Sequence, residues 1–333
     1  MPHSQSLFLN LDKIMVMAQS KEFTGLVVKA TGSWYTVVNR ETGEKLECKI
    51  RGKIRLKDVK TTNPIVVGDY VKVDFTEEDE IGVISKIFER RNYIIRRSTN
   101  LSKEAHIIAS NIDQSFLVVT IDLPKTSREF VDRFLVAAEA YKIPTTIVIN
   151  KIDLYDIDAK VELELFKMDY ALAGYEVLEV SATEGTNLDA LRSRLEGKVS
   201  VFSGNSGVGK STLLNALDIN LELRTGKISD YHHKGTHTTT FSEMFPFGTD
   251  GYVIDTPGIK GFGIIDVKKD ELFHFFKDIF KYSEGCKFYN CTHTHEPGCA
   301  VKEAVTNEQI AFSRYESYLK ILEDEDEKYR TKF

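Results

Sequence analysis

The stretch Gly204-Asn205-Ser206-Gly207-Val208-Gly209-Lys210-Ser211 has the spacing of a phosphate-binding loop, a glycine and four residues followed by Gly-Lys-Ser. Residues 198–203 alternate like a buried strand before it, and residues 210–217 read as the first turns of a helix after it. Strand, glycine loop and helix N-terminus together make an anion cradle, because free backbone N–H groups and the helix dipole both favour negative charge. Gly207 and Gly209 leave no Cβ between the backbone and the phosphate oxygens. Lys210 should reach the β- and γ-phosphates, the Ser211 hydroxyl should ligate Mg²⁺, and Thr212 is placed to touch the α-phosphate.

The loop alone does not choose a nucleotide. Asn150-Lys151-Ile152-Asp153 follows the apolar run 145–149 and has the form of a guanine-specificity motif. A carboxylate at Asp153 can accept from two adjacent N–H groups of guanine and would face no donor at that edge of adenine. Lys151 would lie along the base plane, and Asn150 would brace the loop. Ser181-Ala182-Thr183, closing the run 175–180, resembles the companion loop whose backbone donates to guanine O6. Asp255-Thr256-Pro257-Gly258 follows the run 252–254; Asp255 is placed to hold Mg²⁺ and the Gly258 N–H to meet the γ-phosphate. In the polar stretch Lys234-Gly235-Thr236-His237-Thr238-Thr239-Thr240 a threonine can ligate Mg²⁺ and sense the γ-phosphate. Thr238 and Thr239 both qualify, and Thr239 is preferred. After Gly258 comes apolar Ile259, in the region where many GTPases place a water-orienting glutamine. His237 is the local candidate for that task; the alternative is an exposed loop histidine with no catalytic part.

The motif order is unusual. The guanine motif at residue 150 precedes the phosphate loop at residue 204, and the Mg²⁺ motif at residue 255 comes last. A circularly permuted α/β sheet can still assemble one site, since such sheets bind ligands at the carboxyl ends of their strands. The expected fold class is α/β: a circularly permuted P-loop GTPase domain, an N-terminal oligonucleotide-binding (OB) β-barrel and a C-terminal zinc-binding helical domain. The expected boundaries are 1–20 for an extension outside the folded part, 21–91 for the barrel, 92–265 for the permuted domain and 266–333 for the helical domain.

The barrel is expected from five short strands at 23–30, 34–39, 45–50, 70–75 and 82–88, separated by polar or glycine-containing turns. Lys49, Arg51, Lys53, Arg55, Lys57 and Lys60 crowd one loop, and Arg90, Arg91, Arg96 and Arg97 follow the last strand. Lys21 to Glu104 holds seventeen basic and thirteen acidic residues, against a net charge of −6 for the whole chain. That asymmetry is compatible with phosphate contact, or with an ordinary solvated loop. Trp34 and Tyr35 could stack on bases, although alternation puts at least one of them in the core.

From residue 92 the pattern becomes β-α-β: strands at 114–121 and 145–149, a helix capped by Ser127, and further helices over 156–172 and 187–195. Residues 270–282 read as one amphipathic helix, and a last helix is expected over 307–322. Between them Cys286, Cys291, His293 and Cys299 supply three thiolates and an imidazole, a closed tetrahedral set suited to structural Zn²⁺. His295 is the rival ligand, and a disulfide or scattered buried cysteines are the alternatives. Metal binding would supply folding energy to a segment expected to have little core of its own.

The longest apolar runs are strand-length, so no membrane span or membrane partner is expected. Residues 1–20 do not read as a signal peptide, and four cysteines, three of them clustered, suggest a reducing, cytoplasmic setting. The chain is expected to act as a monomer.

The combination of barrel, permuted motifs, Gly-Asn-Ser-Gly-Val-Gly-Lys-Ser-Thr, His237-Thr238-Thr239-Thr240, Asp255-Thr256-Pro257-Gly258 and the Cys-Cys-His-Cys cluster followed by Ala300-Val301 resembles the RsgA (YjeQ) family of small-subunit biogenesis GTPases. The resemblance covers nearly the whole chain from about residue 21. It implies binding to the 30S subunit and its 16S rRNA during late maturation, hydrolysis of GTP to GDP stimulated by that subunit, and one zinc ion in the C-terminal domain. His237 matches the histidine proposed to aid hydrolysis in the family. Thr236 departs from the arginine expected there in many relatives. A nucleotide-binding RNA scaffold with little hydrolysis is the alternative reading.

Overall fold

The computed structural model describes residues 21–50, 64–75, 81–97, 105–217, 243–255 and 267–330. Strands β1 (Lys21–Thr31), β2 (Trp34–Asn39), β3 (Lys45–Ile50), β4 (Tyr70–Phe75) and β5 (Ile81–Ile87) close a barrel in the order β1-β2-β3-β5-β4, with β4 returning to β1. The pairings are antiparallel except β3–β5. β1 serves two neighbours, β4 with its first half and β2 with its second. At Gly25 the two registers overlap, and a Cβ there would lie 2.3 Å from Val37 Cγ1. Val27, Tyr35, Val37, Cys48, Val71, Val73 and Ile84 fill the interior.

The hairpin β6 (Tyr93–Arg97) and β7 (Ala105–Ser110) follows, an element that the sequence reading did not anticipate. Then come β8 (Gln114–Val119), α1 (Arg128–Ala140), β9 (Thr145–Ile149), α2 (Ile157–Leu172), β10 (Glu176–Glu179), α3 (Leu188–Leu195), β11 (Val199–Gly204), α4 (Lys210–Leu217), β12 (Glu243–Phe247) and β13 (Gly251–Asp255). Their spatial order is β10-β9-β8-β11-β13-β12, parallel except for β12. The phosphate-loop strand β11 is therefore central, between β8 and β13. Ser127 and Asp156 cap α1 and α2 as their residue types favour, accepting from Phe130 N and Ala159 N. Arg192 of α3 donates to the Ala216 and Leu217 carbonyls at the end of α4. β12 also touches β1 through Lys29 and Glu243, so barrel and sheet form one eleven-stranded surface.

A buried ion pair fixes the barrel to the hairpin. Asp69 receives Arg90 Nε at 2.6 Å and a second guanidinium nitrogen at 2.6 Å, with Ser110 Oγ and Val66 N–H completing its shell. Arg91 bonds Asp113 and the Asn111 carbonyl. Of the basic residues grouped above after the last barrel strand, Arg90 is buried in this ion pair, while Arg91 bonds Asp113 from an exposed position.

Beyond residue 266 the chain forms a 3-10 segment (Lys269–Phe275), α5 (Lys277–Ser283), α6 (Ala300–Thr306) and α7 (Phe312–Arg330). The single helix expected over 270–282 is broken at Phe276, whose extended backbone drives its ring into the core. The last helix starts five residues later than expected, because Asn307 ends α6, and it runs through the acidic stretch to Arg330. Nor is this part short of a core: Leu272, Phe276, Ile279, Val301, Ala304, Ile310, Tyr318 and Ile321 pack together with Val136 of α1. Arg314 of α7, 1% exposed, donates to Asp278 of α5 at 2.9 and 3.1 Å and to Asp132 of α1. Tyr170 of α2 donates to the same Asp132. This buried acid–base–acid triad stitches the C-terminal helices to the flank of the sheet.

Candidate nucleotide and metal sites

Gly204, Gly207 and Gly209 have φ of 155°, 86° and 85°, a region open to glycine and strained for other residues. Space adds to the demand. A Cβ on Gly204 would lie 2.3 Å from the Val118 carbonyl oxygen, and one on Gly209 2.5 Å from Asn150 Nδ2. Gly209 thus makes room for Asn150. Asn205 and Ser206 lie in the loop, Val208 is buried beneath it, and Lys210, Ser211 and Thr212 open α4, with Leu213 N–H bonding the Gly209 carbonyl.

Asn150 is the brace expected of it. Its Nδ2 donates to the Val208 carbonyl at 3.0 Å, its Oδ1 accepts from Ala182 N–H at 3.2 Å, and its backbone N–H bonds Val119 O. One side chain joins the phosphate loop, the guanine motif and the Ser181-Ala182-Thr183 loop. Tyr155, absent from the sequence reading, supports it: the phenol donates to the Asn150 carbonyl and accepts from Ile121 N–H, both at 2.8 Å. Burial pushes that phenol up to about 12, so it remains a donor at neutral pH.

Lys151 adopts φ 65° and donates from Nζ to the Leu123 carbonyl at 2.7 Å. Ile152 begins the 3-10 turn Ile152–Leu154, and Asp153, exposed, accepts from Thr183 Oγ1 at 3.3 Å. Thr183 in turn meets Ser181 Oγ, which caps Glu184 N–H. Pro124 borders Gly207, within 3.5 Å of a Cβ built there, so the β8–α1 connection runs beside both loops. Asp255 ends β13, next to Phe202 in register, so its backbone lies beside the phosphate-loop strand. His237, Thr238, Thr239 and Gly258 lie outside the described residues.

The second site is compact. Cys286 Sγ is 3.6 Å from His293 Nδ1 and 3.9 Å from Cys299 Sγ, and Cys299 Sγ is 3.6 Å from the same nitrogen. With Cys291, all four donor atoms lie within 4.8 Å of one another. A zinc tetrahedron with bonds of about 2.3 Å to sulfur and about 2.0–2.1 Å to nitrogen has edges of about 3.8 and 3.6 Å, so the donor set fits. His295 instead meets Thr294 Oγ1 and stands outside the group. All four cysteines are free thiols. Burial raises the Cys291 thiol to about 12 and lowers His293, because desolvation disfavours the charged form of each. Glu296 clamps the enclosing loop, accepting from Thr292 N–H at 2.8 Å, Thr292 Oγ1 at 2.6 Å and Thr294 N–H at 3.0 Å. Desolvation opposes its charge, but these donors outweigh it and hold the carboxyl at about 2.

On the barrel, Tyr35 is core and Trp34 is 38% exposed, with Lys49 Nζ 3.9 Å above its ring. Residues 51–63, which carry most of the basic loop, lie outside the described residues.

Comparison with known proteins places both sites in context. The family described as RsgA N-terminal domain matches residues 24–84, and the family described as RsgA GTPase matches residues 87–265. A Bacteroides fragilis protein named small ribosomal subunit biogenesis GTPase RsgA is 54% identical over 310 residues, covering 93% of this chain and 99% of the relative. Its namesake from Flavobacterium psychrophilum is 51% identical over 311 residues, covering 92% and 95%. The crystal structure of YjeQ from Thermotoga maritima matches with a TM-score of 0.76 at 39% identity, over 91% of this chain and 98% of that one. YloQ, a circularly permuted GTPase, matches with a TM-score of 0.73 at 31% identity, over 94% and 98%.

Proposed function

The chain belongs to the RsgA GTPase family, and from that premise we propose that it binds the 30S ribosomal subunit, hydrolyses GTP there and assists the subunit's late maturation. The observation that carries the reading is the Asn150 brace. It draws a guanine-selecting loop and a phosphate loop, out of their usual chain order, onto one end of one sheet.

In this reading Asp153 accepts from the guanine base, Lys151 lies along its plane, and the Ala182 backbone donates to its carbonyl. The N–H groups from Asn205 to Thr212 and the Lys210 ammonium cradle the phosphates and stabilise charge that develops on the γ-phosphoryl oxygens. His237 orients the attacking water in line with the bond that breaks. Ser211, Thr239 and Asp255 would hold Mg²⁺, which neutralises phosphate charge when bound. Cys286, Cys291, His293 and Cys299 would hold Zn²⁺ as a structural clip. The barrel, with exposed Trp34 and its cationic neighbours, would face 16S rRNA.

The test is steady-state GTP hydrolysis by the purified monomeric protein, alone, with 30S and with 50S subunits. Stimulation by 30S alone is expected, and activity indifferent to both would remove the ribosome assignment. In the same assay His237→Ala should lower kcat in the 30S-stimulated reaction and leave GTP affinity in place. Equal loss of both would make His237 structural.

A further inference from the structure

The β8–β9 ladder runs in register from Ser115 beside Thr145 to Val119 beside Ile149. One residue further on, Asn150 N–H still donates to the Val119 carbonyl at 2.9 Å. In a parallel pair the next rung joins the Asn150 carbonyl to the N–H of Ile121. In place of that bond stands the Tyr155 hydroxyl, accepting from Ile121 N–H at 2.8 Å and donating to the Asn150 carbonyl at 2.8 Å. Two bonds in series replace one, which spreads the two strand ends where the guanine loop leaves the sheet. Towards β10 the same loop keeps direct backbone bonds: Val180 N–H donates to the Ile149 carbonyl at 2.7 Å and Ile152 N–H to the Val180 carbonyl at 3.4 Å.

The segment on the far side of the hydroxyl is a firm anchor. Residues 120–126 close on themselves. Thr120 N–H donates to Thr126 Oγ1 at 3.1 Å, Thr126 N–H to the Thr120 carbonyl at 3.0 Å, and Thr120 Oγ1 to the Pro124 carbonyl at 2.5 Å. Thr120, Ile121 and Thr126 are all buried. Lys151 makes a second tie to this segment, from Nζ to the Leu123 carbonyl. The guanine loop is thus pinned to it at two points, the carbonyl before Lys151 and the ammonium at the tip of Lys151. Tyr155 is itself buried, and both of its hydrogen bonds go to backbone groups. Without the hydroxyl those two buried groups lose their partner, and the relief open to them is to draw together and pair directly. That shift turns the Asn150–Lys151 peptide and moves the loop that carries Asp153.

We propose that Tyr155 is a positioning residue for base selection: its hydroxyl, inserted in the last β8–β9 rung, sets where the Asp153 carboxylate stands against the base edge. The inference rests on the reading of residues 150–153 as a guanine loop.

The experiment measures the affinity of the full chain for GDP and for inosine diphosphate, by competition against a fluorescent GDP. It compares the wild type, Tyr155→Phe and a chain with meta-fluorotyrosine at position 155. Inosine lacks the exocyclic amine, one of the two donors assigned to Asp153, so the wild type should prefer GDP. Tyr155→Phe keeps the ring in the core and removes the rung. It should weaken GDP about tenfold and inosine diphosphate much less, so that the preference narrows, with KM for GTP raised and kcat at saturating GTP kept. Meta-fluorotyrosine retains the hydroxyl and should keep the wild-type preference. An unchanged preference in Tyr155→Phe, equal weakening of both nucleotides, a fall in kcat with KM kept, or a narrowed preference with meta-fluorotyrosine overturns the proposal. If the wild type prefers GDP and Tyr155→Phe does so equally, the positioning role falls alone. If the wild type does not distinguish GDP from inosine diphosphate or ADP, the guanine-loop reading falls and takes this role with it.

Discussion

Asp153 and Glu296 are both carboxylates, and their surroundings give them different tasks. Asp153 is exposed and held lightly by one threonine hydroxyl, which leaves its second oxygen free to accept from a base. Asp153→Asn puts an amide where guanine presents donors. GTP affinity should fall by about 1–3 kcal/mol, the penalty of an unsatisfied buried polar group, while xanthosine triphosphate, with a carbonyl at that edge, should gain. Competition binding with the two nucleotides checks this, and an unchanged preference would remove Asp153 from base selection. Glu296 is committed to its own loop. Its carboxyl is held at about 2, below the ordinary value of about 4.3, so its contribution is fully present above pH 4.3 and is lost as pH falls towards 2. Glu296→Gln should flatten that acid limb of the stability profile and speed metal loss at neutral pH; acid titration followed by circular dichroism, with chelator-monitored zinc release, reads both.

At the scale of elements, local patterns were the legible part. The phosphate loop, the guanine motif, the Ser127 cap and the five barrel strands each lie within a few residues of sequence, and the structure puts them where their periods and turn residues point. Arg90 misled because an arginine after a strand looks the same whether it meets RNA or a buried Asp69 twenty-one residues earlier. The β6–β7 hairpin was missed because Tyr93–Arg97 and Ala105–Ser110 each set two isoleucines side by side and so show no clean alternation. The triad was out of reach altogether: Asp132 and Arg314 are 182 residues apart, and each reads alone as a solvated helix charge. Removing its centre tests its part. Arg314→Ala would leave two buried carboxylates against each other, at a cost of about 3–5 kcal/mol. Hydrogen exchange should then rise in α5 and α7 and stay low in β8, β9 and β11, with GTP still bound. Uniform loss of protection would mean that the C-terminal helices and the sheet unfold as one unit.

Over the whole molecule, the triad also bears on motion. The segment after Gly258 leads into the C-terminal helices, so a γ-phosphate signal could in principle swing them against the barrel. The structure anchors those helices to α1 instead, and α1 begins at the connection that borders Gly207 and receives Lys151. Those contacts tie the C-terminal helices to the flank of the sheet. The barrel has its own attachment, through the contact of β1 with β12.

The strand order has a consequence during synthesis. Of the strands in the α/β sheet, β8, β9 and β10 leave the ribosome before the rest and can pair as a three-stranded parallel unit, with the guanine loop complete but β8 exposed as a raw edge. β11 must then add to that edge before β13 can close over it from the other side. From residue 119 to residue 204 the nascent chain carries an open template, and it completes its nucleotide site only when residue 255 and those beyond have emerged. For a protein whose proposed task is to oversee the birth of ribosomes, the interval in which it most needs shielding is its own passage out of one.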